Sequence, residues 1–259
     1  MATAPDPSEI FHRAAEEGER RLDQSLMELM ATGFIAGFTI VFGIAALGIL
    51  YAAFEPSLGE VASVTGALGF AIGLVFLVVG RAELFTENFF GPTATIFDRR
   101  EHAMVPRLLR LWGITLVFNL IGGGLLVFVI AIPGALPHGT GEALSTTAEE
   151  VAARGLWAGL GSAVIGGALV ALLSFLLHAV NSVGSRIVMA YLVGFLLALG
   201  PFDHVIVTVL HIFAGILFGA PVDFGRLVEI MGIATVGNVL GGVGLVMLSH
   251  AAQARGTGE

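Results

Sequence analysis

Cysteine is absent from the 259 residues, and lysine is absent too, so all twelve basic side chains are arginine. Without thiols the chain has no disulfide, thiolate metal site or thiol nucleophile. Charge is scarce at 12%, about half the ~25% of soluble domains. The net charge of −8 comes mostly from acids in the termini and loops, and it argues against a nucleic-acid partner. The acidic, polar N-terminus does not read as a cleaved signal peptide. What is plentiful is apolar surface: 56% hydrophobic residues and 36 glycines, with mean hydropathy +0.92. Glycine at that density suits close helix packing and interrupted helices in lipid. These features predict an all-α, polytopic membrane protein.

Spans of ~20 apolar residues fall in six blocks, at 30–53, 62–98, 108–132, 155–180, 187–218 and 227–249. They define a six-span transmembrane domain over 27–250, preceded by a cytoplasmic N-terminal segment 1–26 and followed by a cytoplasmic tail 251–259 expected to be disordered. "DPSEIFHRAAEEGERRLDQSL" reads as an amphipathic surface helix with Asp6 as N-cap, Pro7 first in the helix and Glu9 as capping-box partner. "TTAE" in the 133–154 loop reads as a capping box for span four. Arg13, Arg20, Arg21, Arg99, Arg100, Arg107, Arg110, Arg186 and Arg255 lie on one side, and only Arg154 and Arg226 on the other. The positive-inside rule then puts both termini in the cytoplasm, in the cytoplasmic or inner membrane.

Blocks two and five are too long for one crossing of a ~30 Å core. Each carries a polar interruption, "AELFTEN" at 82–88 and "LGPFDHV" at 199–205. Non-helical backbone at membrane depth is tolerated only where protein or a water-filled cavity satisfies it, so helices two and five are expected to be broken. The charges of "RAELFTENFF" would then face a pore. "FTE" (85–87) and "FDH" (202–204) are 117 residues apart, and Asn119 in "FNLIGGGLLV" and Asn238 in "GNVLGGVGLV" are 119 apart. Two halves of three spans follow, the second inverted because three is odd, with a substrate site between the breaks.

"AELFTEN", "GPFDHVIVTVLHIFAGI" and "VGNVLGGVGLV" resemble the second-, fifth- and sixth-span motifs of the formate–nitrite transporter family, and the resemblance extends over all six spans. It implies a homopentamer of aquaporin-like protomers, each with a pore for small monovalent anions such as formate, nitrite or hydrosulfide. On the same resemblance Thr86 matches a pore-loop threonine and His204 the central pore histidine. Phe70, Leu74, Leu84 and Phe202 stand at the apolar constriction. This chain departs from the family in lacking any lysine for the outer vestibule. It has Ala168 where an asparagine is common and Leu197 where a phenylalanine occurs, and it adds charge at Arg81 and Glu87.

Each candidate carries two readings. His204 is a proton-exchanging pore residue or a buried neutral cap of a broken helix. Asp203 reads as a helix cap ahead of a permeant ligand. Thr86 offers its hydroxyl to an anion or His204, or closes its own loop. Glu87 is a proton relay or an arginine partner, and Asn88 stands beside it as a pore candidate. Glu83 and Arg81 are two apart and do not face each other on a helix, so Arg81 is expected to pair with an acid of the other break or to lie at the interface. His211 continues a proton path or makes an interhelical hydrogen bond; His178 and His250 lie near span ends. Asn119 and Asn238 read as interhelical hydrogen-bonders.

The reading is a channel or transporter for small weak-acid anions, proton-linked through His204, with no metal, no cofactor and no enzymatic activity. Its partners are the anion, protons, the lipid bilayer and four further copies. A neutral-solute pore is a rival, although paired Asn-Pro-Ala motifs are absent. An intramembrane haem-binding redox subunit is a second, disfavoured because His204 and His211 stand ~10 Å apart on one helix face.

Overall fold

The computed structural model describes residues 5–200 and 202–256; Met1–Ala4 and 257–259, at the ends of the terminal segments, and Pro201 in the second interruption lie outside the described residues. Among the described residues every regular element is helical. Helix α1 (Pro7–Leu22) is followed by α2 (Leu26–Leu58), which begins at Ser25, whose hydroxyl accepts from the Glu28 amide at 3.2 Å. A turn at Gly59, with φ +55, reverses the chain into α3 (Ala62–Val79). Non-helical backbone and a 3-10 turn (Phe85–Phe89) lead to α4 (Gly91–Arg99) and α5 (Val105–Ile130). The second half runs through α6 (Thr140–Ala152), α7 (Leu156–Ala179), α8 (Val183–Leu199), α9 (Val205–Leu217) and α10 (Phe224–Val239). A π-helical stretch Leu240–Met247 then carries the chain into α11 (Leu248–Gly256).

Four helical segments are long and apolar enough to cross a membrane, Leu26–Val79 (which holds both α2 and α3 around the Gly59 turn), His102–Ile130, Leu156–Ala179 and Phe224–Gly256, and α8 and α9 are shorter apolar helices. Their outer faces expose large apolar side chains, among them Leu109, Leu125, Phe128 and Val236, which suits hydrocarbon or another protein surface. The inner faces approach through glycine. A β-carbon on Gly37 (α2) would lie 1.8 Å from the Asn119 carbonyl oxygen (α5), and one on Gly167 (α7) 2.3 Å from that of Asn238 (α10). No side chain fits at either crossing.

Four sequence expectations are corrected. The 133–154 segment is not a plain loop: Gly139, at φ +81, starts α6, which packs on α9 and α2. "TTAE" therefore lies inside α6, where its amides are already bonded, and α7 starts from Gly155. The tail is helical as far as Gly256, with Arg255 stacked 4.1 Å from the centroid of the Phe97 ring. Asp6 occupies the cap position of α1 without a side-chain cap bond. Helix α1 also docks on protein, burying Ile10, Phe11, Ala14 and Ala15 against α4, α7 and α11 and Leu22 against Leu29, Leu108 and Leu111.

Candidate functional site

Helix α3 stops because its last turn closes on a left-handed residue. The Arg81 amide donates to Val78 O at 3.3 Å and the Ala82 amide to Leu77 O at 3.1 Å, with Arg81 at φ +54. This is the Schellman pattern. The backbone freed beyond it is satisfied by one side chain. Asn119 Oδ1 accepts from the Phe85 amide at 2.9 Å, while its Nδ2 donates to Glu83 O at 3.0 Å and to Gly33 O at 2.8 Å. The interruption before α9 is held in the same way. Asn238 Oδ1 accepts from the Val205 amide at 2.8 Å, and Nδ2 donates to Asp203 O at 2.8 Å and Ala163 O at 2.7 Å. Each asparagine thus ties an interrupted segment to a neighbouring helix, and only this amide orientation satisfies all three bonds.

The two interruptions meet at Thr86 and His204, whose Oγ1 and Nε2 are hydrogen-bonded to each other. Both are buried, at 0% and 1% exposure. His204 is the N-cap of α9: its Nδ1 accepts from the Val207 amide at 3.5 Å. With Nδ1 accepting, Nε2 carries the proton and donates to the Thr86 hydroxyl, so the ring is neutral in this arrangement. The cap expected of Asp203 therefore falls to His204. The Asp203 carboxylate instead accepts from Arg154 at 2.9 Å, Ser162 at 3.0 Å and Thr208 at 3.3 Å. These donors converge on it from α6–α7 and α9, and the end of α9 is capped by His204 instead.

A cavity opens on each side of this contact. One, of about 470 Å³, is lined by Phe70, Leu197, Phe202, Asp203, Thr208 and His211, with Arg154, Glu60 and Glu150 toward its mouth. His211 Nε2 is 2.8 Å from Thr147 Oγ1, a bond between α9 and α6. Arg154 is the one arginine in this lining among the described residues. The second cavity, of about 350 Å³, lies at the opposite end of α3, between α1 and the ends of α3 and α7; Val78, Glu83, Glu87, Arg20, Arg21 and His178 are among its lining. Phe70, Leu74 and Val78 follow one another at i, i+4 along α3. The first lines one cavity, the last lines the other, and Leu74 lines neither. Leu74 and Leu84, 2% and 1% exposed, belong to the same buried cluster. With Thr86 and His204 they are among the residues that line neither cavity.

The second cavity is built around a feature the sequence reading missed. Arg21 of α1 lies 3.2 Å from Glu83 and 3.3 Å from Glu87, and Arg20 reaches Glu83 at 3.4 Å. Glu83 is 2% exposed and Glu87 6%. Arg21 also donates to Asn88 Oδ1 at 3.0 Å, and Asn88 Nδ2 donates to Leu84 O at 3.2 Å. The Asn88 amide is thus engaged with Arg21 and its own loop, not with the Thr86–His204 pair. Burial opposes the charge on Glu17 of α1, but the Arg20 hydrogen bond and the fields of Arg21 and Arg81 outweigh it and hold the carboxyl down at about 2. Arg81 forms no ion pair among the described residues, contrary to the expected pairing across the interruptions: both acids of its own segment are taken by α1, and Asp203 by Arg154. A signal for this latch was present in the sequence. Two acids at membrane depth need cations, and Arg20–Arg21 end the preceding helix.

The family model for formate/nitrite transporters matches residues 8–252. The chain belongs to the formate/nitrite transporter family. It is 25% identical over 247 residues to the inner membrane protein YfdC of Escherichia coli (strain K12), covering 95% of this chain and 78% of that one. It is 30% identical over 257 residues to the uncharacterized transporter YrhG of Bacillus subtilis (strain 168), covering 93% and 91%. Among solved structures it superposes on an FNT family ion channel with TM-score 0.82 at 17% identity, covering 94% of this chain and 98% of that one. It also superposes on a pentameric formate channel with formate bound, with TM-score 0.70 at 18% identity, covering 84% and 92%. With its apolar helices, the family assignment makes this a multi-pass membrane protein whose relatives are transporters and channels.

Proposed function

We propose that the chain is a channel or channel-like transporter for small monovalent weak-acid anions of the formate, nitrite and hydrosulfide class. The protomer is read as residues 27–250 in six spans, two inverted three-span repeats with spans two and five broken. The flanking segments, and so both termini, are cytoplasmic, and five copies assemble, each with its own pore in the cytoplasmic membrane. The observation that carries the reading is the pair of cavities closing on one Thr86–His204 contact. The matched asparagine braces at 83–85 and 203–205 support the inverted repeat. The quaternary proposal draws on the pentameric neighbour and on the exposed apolar helix faces.

In the proposed mechanism an anion leaves one cavity and meets Leu74 and Leu84, where a bare charge in an apolar surround costs several kcal/mol (~2.5–3.5 on insertion scales). His204, having taken up a proton, passes it to the anion. The neutral acid crosses and the ring returns to its neutral form, with Thr86 as the hydrogen-bond partner that positions Nε2. Flux follows the gradients of anion and proton, and no enzymatic step is involved.

Proteoliposome flux of formate, nitrite, acetate, lactate, hydrosulfide and water tests the reading, together with His204→Asn at matched reconstitution. The parent is expected to pass one or more of the anions with a flux that varies between about pH 5 and 8, the range in which imidazole ordinarily titrates. H204N is expected to assemble and lose that pH dependence. Water flux without anion flux would overturn the anion reading, and an unchanged pH profile in H204N would remove the proton role.

A further inference from the structure

Besides its buried ion pairs, the α1-side cavity holds two further arginines, one of which, Arg81, also contributes to the field that keeps Glu17 charged. Arg81 and Arg186 both line it, and neither forms an ion pair among the described residues. The acids that share the lining are nearly all engaged: Glu17 by Arg20 and Arg21, Glu83 by both, Glu87 by Arg21. Arg13 is paired with Glu9, which leaves Glu16, on the exposed face of α1, as the one acid of the lining without an ion pair among the described residues. His178 stands at the end of α7, its Nδ1 2.7 Å from Ser174 O.

Arg81 is there at a conformational cost. It takes the left-handed position that ends α3, with φ +54, although Gly80 precedes it in ordinary right-handed geometry. Glycine usually fills that position because a β-carbon there is strained. The negative end of α3 favours a cation nearby, but it does not require one on the strained residue. The geometry does place the Arg81 side chain in the lining of the cavity. The opposite cavity has the reverse balance. Arg154 there is bound to Asp203, while Glu60 and Glu150 form no ion pair among the described residues.

We propose that Arg81 and Arg186 form an anion-collecting site in the α1-side cavity, which takes a small carboxylate or monovalent oxyanion before it reaches Leu74 and Leu84. The proposal rests on the anion-channel reading and adds to it a sided capture step. Guanidinium groups match carboxylate geometry through paired N–H donors, and a cavity with low-dielectric walls focuses the field of cations that water would otherwise screen. Capture is then stronger from the α1 side than from the acid-lined side.

Formate is the probe in two measurements on the full-length protein. The first is equilibrium binding of labelled formate to purified protein in neutral detergent. The second is the half-saturating formate concentration from each face, in inside-out and right-side-out vesicles. The variants are Arg81→Gly, Arg186→Gln and their combination, with Arg107→Gln, outside the cavity, as a charge control. R81G relieves the backbone strain, so its thermal stability is expected to be at least that of the parent. The double variant is expected to raise half-saturation at the α1-side face about three- to tenfold. Saturating flux and the opposite face should change little, and the difference should shrink as salt rises. Unchanged formate binding and half-saturation in the double variant would overturn the proposal, as would equal loss in R107Q. The two readings separate cleanly: binding without flux would sink the channel reading and leave the site, while flux without Arg81-dependent binding would sink the site alone. Zwitterionic and anionic vesicles are compared as well, since an effect present only with anionic lipid would show that the arginines hold a headgroup, which also overturns the proposal.

Discussion

Replacing Asn238 by leucine removes three hydrogen bonds and keeps a side chain of similar bulk. The Val205 amide, the Asp203 carbonyl and the Ala163 carbonyl lose partners at 2.8, 2.8 and 2.7 Å. Val205 and Ala163 are fully buried and Asp203 is 6% exposed, so water does not replace what is lost. Interhelical hydrogen bonds in membranes average ~0.6 kcal/mol by double-mutant cycles and reach ~2 kcal/mol in model helices. Three of them give a destabilisation of about 2–6 kcal/mol. Asn119→Leu strips the Phe85 amide and the Glu83 and Gly33 carbonyls. If the two interruptions are built alike, the two losses agree to within about 1 kcal/mol, the spread expected of single hydrogen bonds. The assay is reversible unfolding by SDS in mixed micelles, with Asn181→Leu, on the exposed segment between α7 and α8, as a control near zero. A large loss in N119L beside a negligible one in N238L would refute the common design, and so would parent-like stability in both.

Two further perturbations act on the α1 latch. Arg21→Gln leaves Glu83 and Glu87 buried beside one remaining cation, Arg20, and is expected to cost about 3–5 kcal/mol; adding Glu83→Gln and Glu87→Gln should recover most of it, and a triple variant no better than R21Q would show that the arginine acts by packing alone. Glu17, lowered from 4.5 to about 2, contributes stability that is fully present above pH 4.5 and lost as pH falls toward 2. Partial exposure discounts the contribution to about 1–2 kcal/mol. Thermal melts from pH 7 to pH 3 should therefore fall less steeply in Glu17→Gln than in the parent, and parallel curves would remove Glu17 from the acid response.

Legibility followed the range of the interactions. The apolar blocks were readable because burial in lipid imposes a run length on each helix. Asn119 and Asn238 were readable as hydrogen-bonders because a polar amide among glycines has few other uses in a membrane helix. Their true targets, the backbone of the interruptions, needed coordinates. The misreadings were of two kinds. "TTAE" satisfies a capping pattern, but Gly139, seven residues earlier, had already begun the helix, and a local motif carries no information about where the chain enters a turn. Asp203 reads as a cap from its neighbours in sequence alone. Arg154 reaches it across 49 residues, and Arg21 reaches Glu87 across 66. A charge at membrane depth shows that a partner exists, not which one.

The identity of those partners bears on how the two cavities differ. Both interruptions hold their backbone with an asparagine, yet they neutralise their acids from different sources. Asp203 takes its arginine from the α6–α7 junction, inside the bundle. Glu83 and Glu87 take theirs from α1, a helix outside the apolar spans that is tied to the bundle by an apolar face, this ion cluster and further bonds from Thr95, Arg99 and Arg110. The cluster is incompletely satisfied: Glu87 Oε2 and Arg21 Nε are buried without hydrogen-bond partners among the described residues. A half-satisfied buried network is costly to keep. Any motion of α1 would expose two carboxylates and release two arginines at the face where Arg81 and Arg186 stand. The charge of that cavity, and with it the proposed capture of anions, therefore depends on where α1 sits, while the charge around Asp203 does not.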